Sequence, residues 1–210
     1  MTRVEVLEII LSTKVIAVIR MADAENLAKV VEAIKKGGEK AIEITMTTPH
    51  ALDVIAAMSK KKSQGTLIGA GTVLDPETAA QAIHSGADFV VSPITNFEMI
   101  KVCQRYDKFV APGAFTPTEI FAAWEGGADV VKVFPATSVG PQYFKDLKGP
   151  LPQIRLMPTG GVSIENAREF IENGACCVAI GTALLDKKAI ESEKWDVLTQ
   201  KAKALVDSLA

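Results

Sequence analysis

Hydrophobic residues along this chain fall into short continuous runs, separated by longer segments with apolar residues at helical spacing. The short runs are rich in valine and isoleucine, and such runs predict buried β-strands. The intervening segments predict amphipathic helices. The eight predicted strands are Val15–Arg20, Ala41–Thr45, Leu67–Gly71, Phe89–Val91, Phe109–Ala111, Val130–Phe134, Ile154–Met157 and Cys177–Ile180.

Glycine marks the end of a predicted helix at four positions, each followed by a new strand. Gly38, Gly86, Gly127 and Gly174 are separated by 48, 41 and 47 residues, and each interval contains two strand–helix units. Glycine suits the left-handed conformation that ends a helix, so the repeat predicts an alternating β/α chain. Helix starts are predicted at Asp75-Pro76-Glu77, Thr116-Pro117-Thr118-Glu119 and Ser163-Ile164-Glu165.

Eight β/α units in one chain of 210 residues predict an α/β fold, a single (β/α)8 TIM barrel spanning residues 1–210. The alternative is a doubly wound open sheet. It is weakened by the even number of strands and by the missing G-x-G-x-x-G after the first strand. No linker rich in proline and serine divides the chain, so we expect one domain.

The composition narrows the possible partners. Hydrophobic residues make up 48% and charged residues 23%, as in globular proteins. The net charge of -2 gives no electrostatic reason to expect nucleic acid or an anionic membrane. Three cysteines and two histidines show no metal-ligand or disulfide pattern, so we expect no metal and no cofactor. No signal peptide or membrane span is predicted, which makes the cytoplasm the expected location.

Lys132 stands in the middle of a predicted buried strand, where an unpaired ammonium group is costly. Burial lowers the pKa of an amine, and a neutral amine is a nucleophile for carbonyl carbons. Alternation along the strands places Glu43 and Lys132 on the inner faces of the second and sixth strands. The pair predicts Schiff-base chemistry with Glu43 as proton shuttle. Two structural alternatives are a lysine that reaches solvent and an ion pair that fixes the core.

The other strand ends also carry candidate binding groups, since barrel active sites form at the carboxyl ends of strands. Arg20 is a candidate for binding a substrate carboxylate, and Thr72 can donate a hydroxyl to it. Phe134 is a candidate hydrophobic wall, and the fourth strand ends in Ser92-Pro93. Two glycine-bearing loops, Thr159-Gly160-Gly161-Val162-Ser163 and Gly181-Thr182-Ala183, predict a site for a phosphorylated or otherwise anionic substrate.

Six segments of the chain together resemble a known family. In order they are Ile42-Glu43-Ile44-Thr45, Gly69-Ala70-Gly71-Thr72-Val73, Val91-Ser92-Pro93, Pro112-Gly113, Lys132-Val133-Phe134-Pro135-Ala136 and Pro158-Thr159-Gly160-Gly161-Val162. They are similar to the class I 2-keto-3-deoxy-6-phosphogluconate (KDPG) aldolases, a family that includes 4-hydroxy-2-oxoglutarate (KHG) aldolases. The resemblance extends from about Val15 to Gly181.

The resemblance implies a metal-independent enzyme of the Entner–Doudoroff pathway that cleaves KDPG into pyruvate and glyceraldehyde 3-phosphate. It implies that Lys132 forms the Schiff base and that Glu43 is the general acid and base. Thr72 matches a contact to the pyruvate carboxylate, and Thr159 matches a threonine associated with stereochemical control. The family is commonly homotrimeric. The positions matching its phosphate site are Gly160, Gly161, Gly181 and Thr182.

Two positions depart from the family pattern and leave the aldehyde half of the substrate open. Thr47 stands where some members have an arginine, which makes Arg20 the candidate for binding the carboxylate. The loop after Pro93 lacks a glycine that some members have. KHG and phosphogalactonate-type substrates therefore remain alternatives. The glycine loops alone also fit a sugar-phosphate epimerase or isomerase, or a non-catalytic barrel that binds a phosphorylated metabolite.

Overall fold

The computed structural model of the chain describes residues 1–21 and 24–210. The strands are β1 (Val15–Ile19), β2 (Ala41–Thr45), β3 (Leu67–Gly71), β4 (Phe89–Val91), β5 (Phe109–Ala111), β6 (Gly113–Ala114), β7 (Val131–Val133), β8 (Leu156–Pro158) and β9 (Val178–Ile180). The α-helices are α1 (Arg3–Thr13), α2 (Ala24–Lys36), α3 (Ala51–Lys61), α4 (Pro76–His84), α5 (Phe97–Arg105), α6 (Pro117–Glu125), α7 (Gly140–Lys148), α8 (Ala167–Glu172), α9 (Lys187–Glu191) and α10 (Trp195–Leu209).

The strands form two parallel sheets within an α/β fold. One sheet has the order β5-β4-β3-β2-β1-β9, and the other has the order β6-β7-β8. Consecutive strands from β1 to β5 are neighbours, whereas a doubly wound sheet would reverse its strand order near the middle. The alternative of a doubly wound sheet is therefore wrong for this chain. The predicted β2, β3, β4 and β5 agree with the structure residue for residue.

Two of the eight predicted strands differ from their predicted limits by more than one terminal residue. The strand predicted at Val130–Phe134 is the shorter β7, and the one predicted at Ile154–Met157 is β8, which begins at Leu156. The short strand β6 is additional, and only Pro112 separates it from β5. Proline lacks an N–H, so it interrupts the hydrogen-bond ladder at this position.

Alternation of side chains divides the hydrophobic residues into an inner cluster and an outer cluster. The outer cluster contains Ile42, Ile44, Val131 and Val133 together with residues of the surrounding helices. The inner cluster lies on the opposite faces of the strands, where α1 contributes Val6 and Ile10. The predicted assignment of faces in β2 and β7 is thereby confirmed. The other residues of the inner cluster lie in strands or directly before them, and they are Ile16, Ala41, Leu67, Phe89, Val91, Phe109, Ala111, Val130, Met157, Cys177 and Ala179.

Most helix boundaries follow the capping signals, with one exception. Asp75 accepts a hydrogen bond from the Thr78 N–H, and Thr116 forms a capping box with Glu119. The predicted start of a helix at Ser163 is wrong, because the α8 helix begins at Ala167. Asn166 accepts from the Ser163 N–H at 2.8 Å, which holds the intervening residues in a turn. The four predicted helix-ending glycines all have φ between 97° and 102°.

Glu39 is a buried carboxyl group just before β2, far from the carboxyl ends of the strands. One oxygen accepts hydrogen bonds from the Lys40 and Ala41 N–H groups at 3.0 Å each, and the other has no partner. Burial raises the pKa of Glu39 to about 8, against the effect of these two hydrogen bonds. The unfolded chain therefore releases this proton first, and folding stability is lost as the pH rises from about 4.5 towards 8.

We predict that Glu39→Gln stabilises the protein increasingly as the pH rises. Glutamine keeps an oxygen for the two backbone N–H groups but has no proton to lose. Relative to wild type, the gain in unfolding free energy should grow by roughly 3 kcal/mol between pH 5 and pH 8. Urea unfolding at several pH values measures it. Glu125→Gln makes the same charge change at an exposed position and is the control. A gain independent of pH would contradict the prediction.

The described residues contain neither a candidate membrane span nor a candidate metal site. Within residues 1–21 and 24–210, no helix is both long and apolar enough to cross a bilayer. The same part of the chain contains no group of three or more His, Cys, Asp or Glu side chains arranged to hold a metal ion.

Candidate active site

Lys132 lies in the middle of β7 and is almost completely shielded from solvent. Only 5% of the residue is exposed, so the alternative of a lysine that reaches water is not what the structure contains. Burial lowers the pKa of the Lys132 amine, the Glu43 carboxylate opposes this, and the Arg20 guanidinium lowers the pKa further. The net direction favours the neutral amine, the form that can attack a carbonyl carbon.

Glu43 lies in β2 and is buried to the same degree as the hydrophobic core. Its pKa is raised by burial, while the positive charges of Lys132 and Arg20 act in the opposite direction. One carboxyl oxygen of Glu43 has no hydrogen-bond partner. The net direction favours the protonated acid, so the carboxyl group can both donate and accept a proton close to the amine.

The space occupied by the Glu43 carboxyl group depends on Gly71 in β3. A Cβ atom added at Gly71 would overlap the Glu43 carboxyl oxygen, its carboxyl carbon and its Cγ. Glu43 is paired in register with Gly69, and a Cβ there would overlap the Phe89 ring. The two glycines of β3 therefore give room for a buried acid and for the aromatic ring beside it.

Lys132 and Glu43 influence each other electrostatically without being paired. No ion pair or hydrogen bond joins the two groups in the part of the chain that the structure describes. The alternative of a Lys132–Glu43 ion pair that fixes the core is therefore not what this arrangement contains. An amine and an acid that are both shifted towards neutrality, and that are not paired with each other, can act in turn on the same small molecule.

A cavity of about 400 Å³ has seven of the predicted binding residues in its wall, whereas Lys132 and Glu43 are not among its lining residues. Phe134 is in its wall, and the Lys132 amine lies 5.1 Å from the centre of the Phe134 ring. Gly160 and Gly161 have φ of 87° and 73°, conformations that favour glycine. The predicted residues in the wall are Arg20, Phe134, Thr159, Gly160, Gly161, Gly181 and Thr182.

A second cavity, of about 340 Å³, shares Phe134 with the first and contains the predicted Pro93 in its wall. Thr72 lies outside both cavities, half-buried directly after β3, with φ of 58°. The position of the missing arginine, Thr47, belongs to a cluster of hydroxyl groups. Its Oγ1 lies 3.0 Å from that of Thr45, which is 3.3 Å from that of Thr48. The structure therefore places Arg20 with the glycine loops and Thr72 apart from them.

Two features of the site are not indicated by the sequence pattern. The first is the contact between Gly71 and Glu43, which depends on the register of two strands. The second is Lys187 of α9, which lines the larger cavity although it lies outside every predicted strand end. A lysine in a charged segment, Asp186-Lys187-Lys188, gives no sequence signal that distinguishes it from a solvated surface residue.

The chain matches known proteins over nearly its whole length. The sequence model of the KDPG and KHG aldolases matches residues 6–201. A 2-dehydro-3-deoxy-phosphogluconate aldolase from Haemophilus influenzae is 33% identical over 207 residues, covering 98% of this chain and 97% of that protein. A 2-dehydro-3-deoxy-6-phosphogalactonate aldolase from Escherichia coli is 36% identical over 170 residues, covering 80% of this chain and 83% of that protein.

A solved structure also matches nearly the whole chain. The KDPG aldolase from Legionella pneumophila, crystallised with pyruvate captured at low pH as a covalent carbinolamine intermediate, has a TM-score of 0.87 and 28% identity. The match covers 95% of this chain and 97% of that one. These relatives are aldolases, a class of carbon–carbon lyases. The chain belongs to the KDPG and KHG aldolase family.

Proposed function

We propose that this protein is a class I aldolase that cleaves KDPG into pyruvate and glyceraldehyde 3-phosphate through a Schiff base on Lys132. The observation that carries the proposal is the buried amine of Lys132 in the electrostatic field of the buried acid of Glu43. The Phe134 ring, 5.1 Å from that amine, lines the glycine-bearing cavity. Names of relatives at 33% and 36% identity support the substrate class. A KHG substrate, giving pyruvate and glyoxylate, uses the same two residues.

The proposed reaction begins when the neutral Lys132 amine attacks the C2 carbonyl carbon. Glu43 donates a proton to the carbinolamine hydroxyl, water leaves, and an iminium ion forms. The ionised Glu43 then accepts the C4 hydroxyl proton. The C3–C4 bond breaks, its electron pair passes into the iminium group, and the aldehyde departs. Protonation of the resulting enamine at C3 and hydrolysis of the imine release pyruvate and restore the amine.

Borohydride reduction in the presence of pyruvate tests this proposal. Reduction of the imine should give a stable adduct, which intact mass and peptide mapping should assign to Lys132. A panel of 2-keto-3-deoxy acids with and without the terminal phosphate, followed by pyruvate release, ranks the substrates. The second candidate is a phosphogalactonate-type enzyme, which is supported by the 36% identical relative. Such an enzyme would prefer 2-keto-3-deoxy-6-phosphogalactonate over KDPG when both are included in this panel. If the protein isomerised a sugar phosphate and formed no pyruvate adduct, the proposal would be wrong.

We also propose that the two sheets are parts of one closed (β/α)8 barrel and form one domain. Three contacts between the sheets support closure. The Asp129 N–H donates to the Val110 oxygen at 3.0 Å, and Thr159 forms a parallel bridge with Ala179. The inner cluster contains Phe89 and Phe109 of one sheet as well as residues adjoining the other. We propose the cytoplasm as its location, since all three cysteines are free thiols.

We propose further that the protein is a homotrimer that buries an apolar patch. Leu74, Ile94, Phe97, Phe121 and Trp124 are each between 37% and 49% exposed. Phe121 and Trp124 are in ring contact at 5.7 Å on α6, and a Cβ added at Gly126 would lie 2.8 Å from the Phe97 ring. These neighbouring apolar groups on α5 and α6 favour burial against another copy.

Light scattering should give a mass three times that of the 22.4 kDa chain at micromolar concentration. Phe121→Glu combined with Trp124→Glu should shift the protein to monomer, because two carboxylates in an apolar interface are strongly unfavourable. Tyr106→Glu, at a similarly exposed aromatic on the other end of α5, is the matched control. A wild-type monomer, or a trimer unaffected by the double substitution, would contradict this prediction.

A further inference from the structure

Lys187 places a second positive charge in the wall of the glycine-lined cavity. It is the first residue of α9, and it lines the cavity together with Arg20, Gly160 and Gly161. Its side chain is exposed to solvent. No ion pair or hydrogen bond involving the Lys187 amine occurs between residues that the structure describes. The charge is therefore available to a bound anion.

The surroundings of Lys187 do not cancel its charge. The adjacent Asp186 is held elsewhere: one carboxyl oxygen accepts from the Ala189 N–H at 3.0 Å, and the other pairs with Lys201 at 2.8 Å. The described residues of the cavity wall include two cations, Arg20 and Lys187, and none of them is acidic. An anion in this cavity therefore meets a net positive field in a partly enclosed space.

The cavity also supplies neutral donors next to these two charges. Thr159 has a side-chain oxygen that is buried and has no hydrogen-bond partner, and Thr182 has an exposed hydroxyl group. Since the Phe134 ring lies 5.1 Å from the Lys132 amine and also lines this cavity, a substrate attached at Lys132 can extend along the Phe134 ring into the cavity that Lys187 lines. The end of the substrate far from the keto group would then reach Lys187.

We propose that Lys187 is a specificity-determining residue that binds the distal phosphate of the substrate and makes the enzyme prefer phosphorylated 2-keto-3-deoxy acids. This rests on the proposed aldolase function. A flexible ammonium group at the cavity wall acts as a point charge on a dianion, whereas a neutral distal group gains nothing from it. Lys187 thus acts on the charge of the substrate tail, apart from the chemistry at the keto carbon.

The test compares Lys187→Met with Lys188→Met. Lys188 is also exposed and adjacent in sequence, but it does not line the cavity, so it is a matched control. The ratio of kcat/KM for the phosphorylated acid to that for its unphosphorylated counterpart should fall about 10-fold in Lys187→Met, mainly through KM. The loss of affinity should shrink at high salt, because screening weakens the wild-type interaction. Lys188→Met should leave the ratio unchanged.

A second measurement is independent of turnover. Inorganic phosphate should raise the melting temperature of the wild type and of Lys188→Met more than that of Lys187→Met. An unchanged substrate ratio in Lys187→Met, or equal effects of both substitutions, would overturn the proposal. If the proposed aldolase function is wrong, the wild type will form no pyruvate adduct. The phosphate measurement then still decides whether Lys187 binds the anion.

Discussion

Lys132→Arg is expected to abolish formation of the pyruvate adduct and to reduce kcat by at least about 1,000-fold. Arginine stays protonated at any pH at which the protein is folded, so it has no free electron pair for the carbonyl carbon. Mass measurement after borohydride reduction, together with a coupled assay of pyruvate release, checks both effects. Activity near that of the wild type would exclude the imine mechanism.

Two further measurements make this prediction robust. Arginine is larger than lysine and the position is buried, so Lys132→Met is a second variant of similar length without an amine. Both variants should retain the circular dichroism spectrum of the wild type. In the wild type, the rate of adduct formation should fall as the pH drops through the lowered pKa of Lys132, because the protonated amine is unreactive. A rate that is independent of pH would count against a neutral-amine nucleophile.

Glu43→Gln is expected to have the second largest effect, a loss of about 100- to 10,000-fold in kcat. The amide has nearly the same shape as the acid, but it cannot move a proton to the carbinolamine hydroxyl or from the C4 hydroxyl. Adduct formation with pyruvate should be slowed rather than abolished, because Lys132 is intact. Single-turnover trapping separates the two effects, and equal loss of trapping in the Lys132 and Glu43 variants would contradict distinct roles.

Gly71→Ala tests whether the role of Glu43 depends on the position of its carboxyl group. The added methyl group would displace the Glu43 carboxyl group, so kcat should fall by about 10- to 100-fold while the lysine remains reactive. Gly65→Ala is a matched control for stability, since a Cβ at that loop position contacts nothing within 4 Å, although its φ of 81° adds some strain. A Gly71→Ala enzyme with wild-type kcat would mean that the precise position of Glu43 does not matter.

The sequence predicts those parts of the fold that depend on local periodicity. Four strands agree with prediction because each is a hydrophobic run ended by glycine, proline or a polar residue. The strand β6 lacks β-branched residues and depends on pairing with β7, so its sequence resembles a loop. Helix α1 carries exposed Val4 as well as buried Val6 and Ile10, so its hydrophobic residues do not define one face.

The candidate site likewise contains residues that the sequence predicts and residues that only tertiary packing brings together. Lys132 and Glu43 are detectable because a charge in an apolar strand conflicts with its surroundings, and alternation then assigns both to the inner face. The grouping of Arg20 with the glycine loops, the room that Gly71 gives to Glu43 and the position of Lys187 arise from tertiary packing. Local sequence carries no information on these distances, and only the three-dimensional structure places these residues together.

Helix α1 has a consequence for the order of events in catalysis. Because Val6 and Ile10 are buried in the inner cluster with Ala41 and Leu67, the first residues of β2 and β3, we expect the interior to be closed on that side. Both products must leave by the route through which the substrate entered. The aldehyde, bound nearer the mouth, has to diffuse away before pyruvate can follow it. The mechanism is then ordered, with pyruvate as the last product released. Pyruvate should therefore bind to the free enzyme and compete with the substrate.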